Sequence, residues 1–294
     1  MTLSLTDILI LLVTGMFASF LNVTSGGGSL VSLPILIFMG LPSTIANASN
    51  RLGIIGQNIF AVAGFQSKGV NAWPYSLYIA LSAFFGAIVG ARISANLNDE
   101  LFNKVIAVIM VGVVLLTIFK PTPANRTLEE KTDTKSKFIG VIIFFFIGIY
   151  GGFIQAGVVF LMIAALTSIN GFSLVKTNSA KVFVALIYTL SAVAVFIYEE
   201  VINWEYGLVL AVGNAIGGWL TSRWSVKKGD RWIKRILVVT VFGLAIKLWL
   251  TKENERKKKS NTILFDVCWR SYLFPAICSG KSFSAHFTGS ISNK

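Results

Sequence analysis

Two stretches of this chain, Ile8–Asn50 and Phe138–Val175, contain no Lys, Arg, Asp or Glu. Uncharged runs of that length exceed any helix that a water-soluble core would hold, whereas a bilayer-crossing helix needs about 20 predominantly apolar residues. Charged residues make up 13% of the chain, against about 25% in soluble domains, and the mean hydropathy is +0.73. The pattern predicts an all-α integral membrane protein.

The formal net charge of +13 would suggest nucleic acid in a soluble protein. Here the basic residues gather in loops and at the C-terminal end, where topology signals explain them. The expected partner is therefore the lipid bilayer, with no nucleic acid. Cys268, Cys278 and His286 all fall after Ser260, in the C-terminal tail, so the core offers no disulfide framework, redox motif or metal-ligand cluster, and no cofactor is implied. The N-terminus lacks a basic n-region and a cleavage site, and reads as a first membrane helix rather than a removed signal peptide.

Within the first uncharged stretch, Gly26, Gly27 and Gly28 open a short apolar run, Leu30–Met39, which Gly40, Leu41 and Pro42 close. That run is too short to cross a bilayer. Short segments interrupted by Gly and Pro point to a broken helix lining a substrate site. The surrounding pattern predicts helices over about 6–23, 29–39, 42–65, 74–94 and 102–119. Gly86 and Gly90 stand at GxxxG spacing, which lets helices approach closely and leaves a homo-oligomer open. The hydrophilic linker 120–137 follows.

Sliding the chain along itself until Gly26 falls on Gly157 aligns its two halves without a gap. In that one register Gly40 falls on Gly171, Asn47 on Asn178, Trp73 on Trp204, Tyr75 on Tyr206, Gly86 on Gly217, Arg92 on Arg223 and Asp99 on Asp230. Rare residue types agreeing in one register indicate an internal duplication. The expected organisation is a first membrane repeat over 1–119, the linker 120–137, a second repeat over 138–251 and a basic tail over 252–294. Each repeat has five segments, giving about eight full spans and two short broken or re-entrant ones about a pseudo-two-fold axis. Five true spans per half would invert the second repeat and place the linker and the basic loop 223–235 on one side, as the positive-inside rule favours; re-entrant short segments would leave the repeats parallel.

Acidic residues are confined to segment ends, so no buried carboxylate for a cation or proton relay is visible. Near the breaks lie neutral and basic groups: Ser25, Gly26, Gly27, Gly28, Ser29, Asn47, Ser49, Asn50 and Arg51 in one half, and Gln155, Gly157, Asn178, Ser179 and Lys181 in the other. Helix N-termini and amide or hydroxyl donors beside a cation suit an anion. A lone cation in a membrane segment faces protein or water rather than lipid. Arg51 and Lys181 could instead snorkel to the interface, and Asn47 and Asn178 could cap or bridge helices.

The glycine run Gly26–Gly28, then Pro34, Gly40, Leu41, Pro42, the segment Ala46–Asn50, and Gly86 and Gly90, all repeated more faintly in the second half, resemble the TauE/SafE family of sulfite-exporter-like permeases over about residues 5–250. The resemblance implies a secondary transporter of the bacterial cytoplasmic membrane that moves a small anionic substrate such as sulfite, a sulfonate or an organic anion. The second half departs from it, keeping only Ala156 and Gly157 of the glycine run and no proline. An anion channel fits the bare interior as well. A membrane enzyme does not, because the segments carry no acid–base groups for catalysis; an assembly or scaffold protein is the remaining alternative.

Overall fold

The computed structural model describes residues 3–98, 100–102, 105, 130–229, 232–233 and 235. Its helices are α1 (Leu5–Thr24), α2 (Ser29–Phe38), α3 (Ser43–Gln66), α4 (Tyr75–Ala95), α5 (Thr134–Phe153), α6 (Val158–Asn170), α7 (Leu174–Tyr198) and α8 (Trp204–Lys228). No strand occurs among the described residues. Apart from Phe102, Val105, Ile233 and Arg235, the expected fifth segment of each half lies outside the described residues, as does the tail 252–294.

The first four boundaries follow the sequence reading to within a residue. α5 begins four residues before the expected boundary at 138, because Asp133 stands at its N-cap and accepts a hydrogen bond from Ser136 Oγ at 2.6 Å. Four helices, α1, α4, α5 and α7, are long and apolar enough to cross a membrane. α3 and α8 are as long, but they carry Asn47, Asn50, Arg51, Gln57 and Asn58 on one and Asn214 on the other, all turned into the protein. Exposed Leu9, Val13, Phe17, Phe85, Phe146, Leu208, Val212 and Leu220 clothe the outside, as a lipid-facing surface requires.

The register that aligns Gly26 with Gly157 carries α1–α4 onto 136–155, 160–169, 174–197 and 206–226, close to the bounds of α5–α8. Packing follows the same exchange. α4 lies against α5 and α7 of the other half, α8 lies against α1 and α3, and α3 meets α7. Small residues make these contacts possible: a Cβ at Gly86 or Gly90 would collide with the carbonyl oxygen of Phe145 or Ile149 on α5, and one at Gly213 or Gly217 would meet Leu12 or Met16 on α1. Without a hydrophobic drive between helices in lipid, such close approach supplies the packing. The Gly86/Gly90 face is thus filled from within the same chain.

The order of these contacts gives direction. Leu12 meets Gly213 and Met16 meets Gly217, while Ser49 and Leu52 meet Gly207 and Gln57 meets Gly218, so α1 and α3 both run parallel to α8. α2 therefore carries the chain back between them. Ala83 meets Gly148 and Ala87 meets Gly152, so α4 runs parallel to α5. Val70 accepts from Ser179 Oγ, Trp73 packs on Phe183 and Phe84 accepts from Ser191 Oγ, so the chain leading into and through α4 also runs parallel to α7.

Candidate functional site

The two helix breaks are built alike. Gly26 (φ 93°) and Gly157 (φ 81°) both adopt the left-handed conformation that only glycine enters without strain. Gly28 is helical, but a Cβ there would collide with the carbonyl oxygen of Ala18 and with Asn22. The breaks adjoin, since a Cβ on Gly26 would stand 2.7 Å from Val159 Cβ at the start of α6. Ser25, Gly26, Gly27, Gly28 and Ser29 of one, and Gln155 and Gly157 of the other, are all buried.

Each break is closed by the third helix of the opposite half. From α3, Asn47 Nδ2 donates to the carbonyl oxygen of Phe153 (3.2 Å) and to Ser94 Oγ (3.1 Å). One turn later, Arg51 donates through Nη1 to Gly151 O and Gln155 Oε1 (2.7 Å), and through Nη2 to Gly152 O (2.9 Å). The Gly151 and Gly152 oxygens are carbonyls of the last turn of α5, which has no onward helical partner for them. From α7, Asn178 Nδ2 reaches Thr24 O at 3.5 Å, and Lys181 Nζ donates to Asn22 O at 3.1 Å, at the matching end of α1.

The two ends are not equivalent. Arg51 is enclosed: Gln155 Nε2 donates to the Tyr188 hydroxyl (2.8 Å), Tyr150 OH donates to Ala156 O (2.7 Å), and the Phe196 ring lies 5.6 Å from the guanidinium carbon. Lys181, 1% exposed, has one acceptor among the described residues for three donor hydrogens, and no carboxylate beside it. Neither cation snorkels. They are the buried charged side chains among the described residues, every described Asp and Glu being partly or fully exposed.

Two sequence candidates do other work. Ser49 Oγ accepts from Asn203 N (2.8 Å) in the α7–α8 connection, and Ser179 Oγ donates to Val70 O (2.9 Å) in the α3–α4 connection, so each ties a hairpin turn to the opposite half. Asn50 is buried, and its Oδ1 has no partner among the described residues. The sequence reading missed Asn22, Gln57, Asn58, Asn214 and Tyr188, which extend the polar interior from the breaks along α1, α3, α7 and α8. Lone amides inside apolar helices were the available signal.

Long apolar helices around two adjoining breaks, with buried donors and cations at their ends, define a polytopic membrane protein. Similarity to known proteins makes the class particular. The sequence profile of the sulfite exporter TauE/SafE family matches residues 11–248, and the chain belongs to that family. It is 25% identical over 239 residues to a probable membrane transporter protein of Haemophilus influenzae, spanning 81% of this chain and 93% of the relative. It is 23% identical to the probable membrane transporter protein ORF9 of a Sinorhizobium species (81% and 90%). It is 24% identical to the probable membrane transporter protein YfcA of Escherichia coli K12 (81% and 88%). No solved structure matches.

Proposed function

We propose that the protein is a secondary transporter of small anions, with sulfite and sulfonates the leading substrates and a bacterial cytoplasmic membrane its site. The observation that carries this reading is the pair of buried cations, Arg51 and Lys181, at two adjoining helix breaks with no buried carboxylate among the described residues. Such an interior attracts an anion and opposes a metal cation. The family's name and the relatives' description as transporters support it further.

The two halves act as inverted repeats of five segments, about eight full spans and the short pair α2 and α6. α1 runs with α8, α8 returns from α7 through a short connection, and α7 runs with α5, which favours opposite directions for α1 and α5. Substrate sits where the breaks meet, near the backbone of Gly26–Ser29 and Gly157, with Asn178 and Lys181 as its side-chain ligands. Arg51, Asn47 and Gln155 hold the second break in shape. Rocking of one half against the other about this point would alternate access.

The test is counterflow in liposomes containing the purified protein. Saturable exchange of labelled sulfite or a sulfonate is expected; no exchange of sulfite, sulfonates or small carboxylates would rule the reading out.

A further inference from the structure

The polar interiors beside the two breaks are partnered differently. Lys181 Nζ donates to Asn22 O (3.1 Å), Asn22 Nδ2 donates to Gln57 Oε1 (3.1 Å), and Gln57 Nε2 donates to Asn58 Oδ1 (3.1 Å), a continuous chain from α7 through α1 into α3. Asn214 of α8 lies beside it, because Gly53, one turn before Gln57, would collide with the Asn214 amide if it carried a Cβ, but makes no hydrogen bond to it among the described residues. Ser19, one turn before Asn22 on α1, faces Gly217 of α8, where a Cβ would lie 2.8 Å from Ser19 Cβ. Ser29 follows Gly28, whose Cβ would collide with the Asn22 side chain.

In this one region Ser19 Oγ, Ser29 Oγ, Asn22 Oδ1, Asn58 Nδ2 and both polar atoms of Asn214 are buried without a hydrogen-bond partner among the described residues. All five residues are at most 3% exposed. A buried polar group left unpaired is costly, so a group of them on four helices marks a place where something polar belongs. Hydroxyls and amide NH2 groups beside an ammonium present hydrogen-bond donors from several directions, with no carboxylate among the described residues to repel negative charge.

In the second half, the positions matching Ser19, Asn22, Gln57, Asn58 and Asn214 are Tyr150, Phe153, Tyr188, Thr189 and Ala83. Tyr150 and Tyr188 have partners there, and Phe153 and Ala83 offer no polar side chain. The matching region keeps Arg51 Nε, Thr189 Oγ1, Asn47 Oδ1 and Asn50 Oδ1 without a partner among the described residues, and of these the first two can donate.

We infer that Lys181 and the amides of Asn58 and Asn214, with the hydroxyls of Ser19 and Ser29, form an oxyanion site beside the first break, where α1, α2, α3, α7 and α8 contribute, which binds a small pyramidal or tetrahedral oxyanion of about the size of sulfite. The site rests on the anion-transport reading and places the binding donors beside the first break, with Ser19, Ser29 and Asn58 from the first half and Lys181 and Asn214 from the second. Amide-to-carboxylate changes keep the side-chain shape and replace donors by repelling oxygens, so Asn58→Asp and Asn214→Asp are the decisive variants. Thr189→Val, at the position matching Asn58, is the control.

The measurement is thermal unfolding of the detergent-solubilised protein with sulfite, sulfate or phosphate, alongside labelled-sulfite counterflow. Saturating sulfite is expected to raise the melting temperature of the wild type and of Thr189→Val by about 5 °C, and each Asp variant to weaken this binding at least tenfold. If either variant fails to fold, Asn214→Ser and Asn58→Ser, which keep a smaller donor, are expected to weaken binding by a smaller factor. Stabilisation that persists undiminished in the Asn58 and Asn214 variants, or is lost in Thr189→Val, overturns the site even if sulfite is transported. Absence of stabilisation by all three anions overturns it too. Stabilisation that depends on Asn58 and Asn214 without sulfite flux supports the site and removes the transport reading alone.

Discussion

The Arg51 guanidinium donates to the carbonyl oxygen of Gly152 at 2.9 Å, so a cation on α3 closes the last turn of a helix in the opposite half. The same side chain holds Gly151 and Gln155. Its planar fork meets acceptors in several directions, which a lysine cannot do. Arg51→Ala removes these donors and leaves buried carbonyls unpaired. It is expected to destabilise the protein by about 3 kcal/mol, with Arg51→Lys recovering less than half; denaturant unfolding in detergent measures both.

Ser49 and Ser179 tie the two hairpin connections through single hydrogen bonds. Ser49→Ala and Ser179→Ala are each expected to cost about 1 kcal/mol of stability and to leave the KM for sulfite unchanged. A large rise in KM in either variant would return that hydroxyl to the binding site.

Why some of this was legible in the sequence follows from these residues. The breaks declared themselves through Gly26, Gly157, Gly40 and Gly171, because a left-handed turn selects glycine and the duplication repeated it. Asn47 and Asn178 stood out for the same reason, by recurring in the same register as the glycines. Which carbonyls they and Arg51 would cap was not legible, since those belong to helices far away along the chain and meet only after folding. Asn22, Asn58 and Asn214 escaped notice because their partners in the repeat are Phe153, Thr189 and Ala83. Repetition marks what the two halves share, and the one-sided features lie where it fails.

Gly90 of α4 faces the carbonyl oxygen of Ile149 so closely that any side chain must push α4 and α5 apart. Gly90→Leu is expected to destabilise by about 3 kcal/mol through overpacking. Because the contact is made within one chain, light scattering of whatever protein folds is expected to show an unchanged oligomeric state. A change in subunit number would place this face between subunits instead.

Lys181 is buried with spare donor hydrogens and no carboxylate beside it among the described residues, which makes it the central charge of the proposed site. Lys181→Met keeps the length and apolar stem while removing the charge. Counterflow of labelled sulfite into liposomes, compared between the wild type and Lys181→Met at matched amounts of folded protein, tests this most directly. The expected result is saturable exchange in the wild type, reduced at least about a hundredfold in the variant, as loss of a close charge-assisted contact of about 3 kcal/mol implies. Undiminished exchange in Lys181→Met, or none in the wild type, would contradict it.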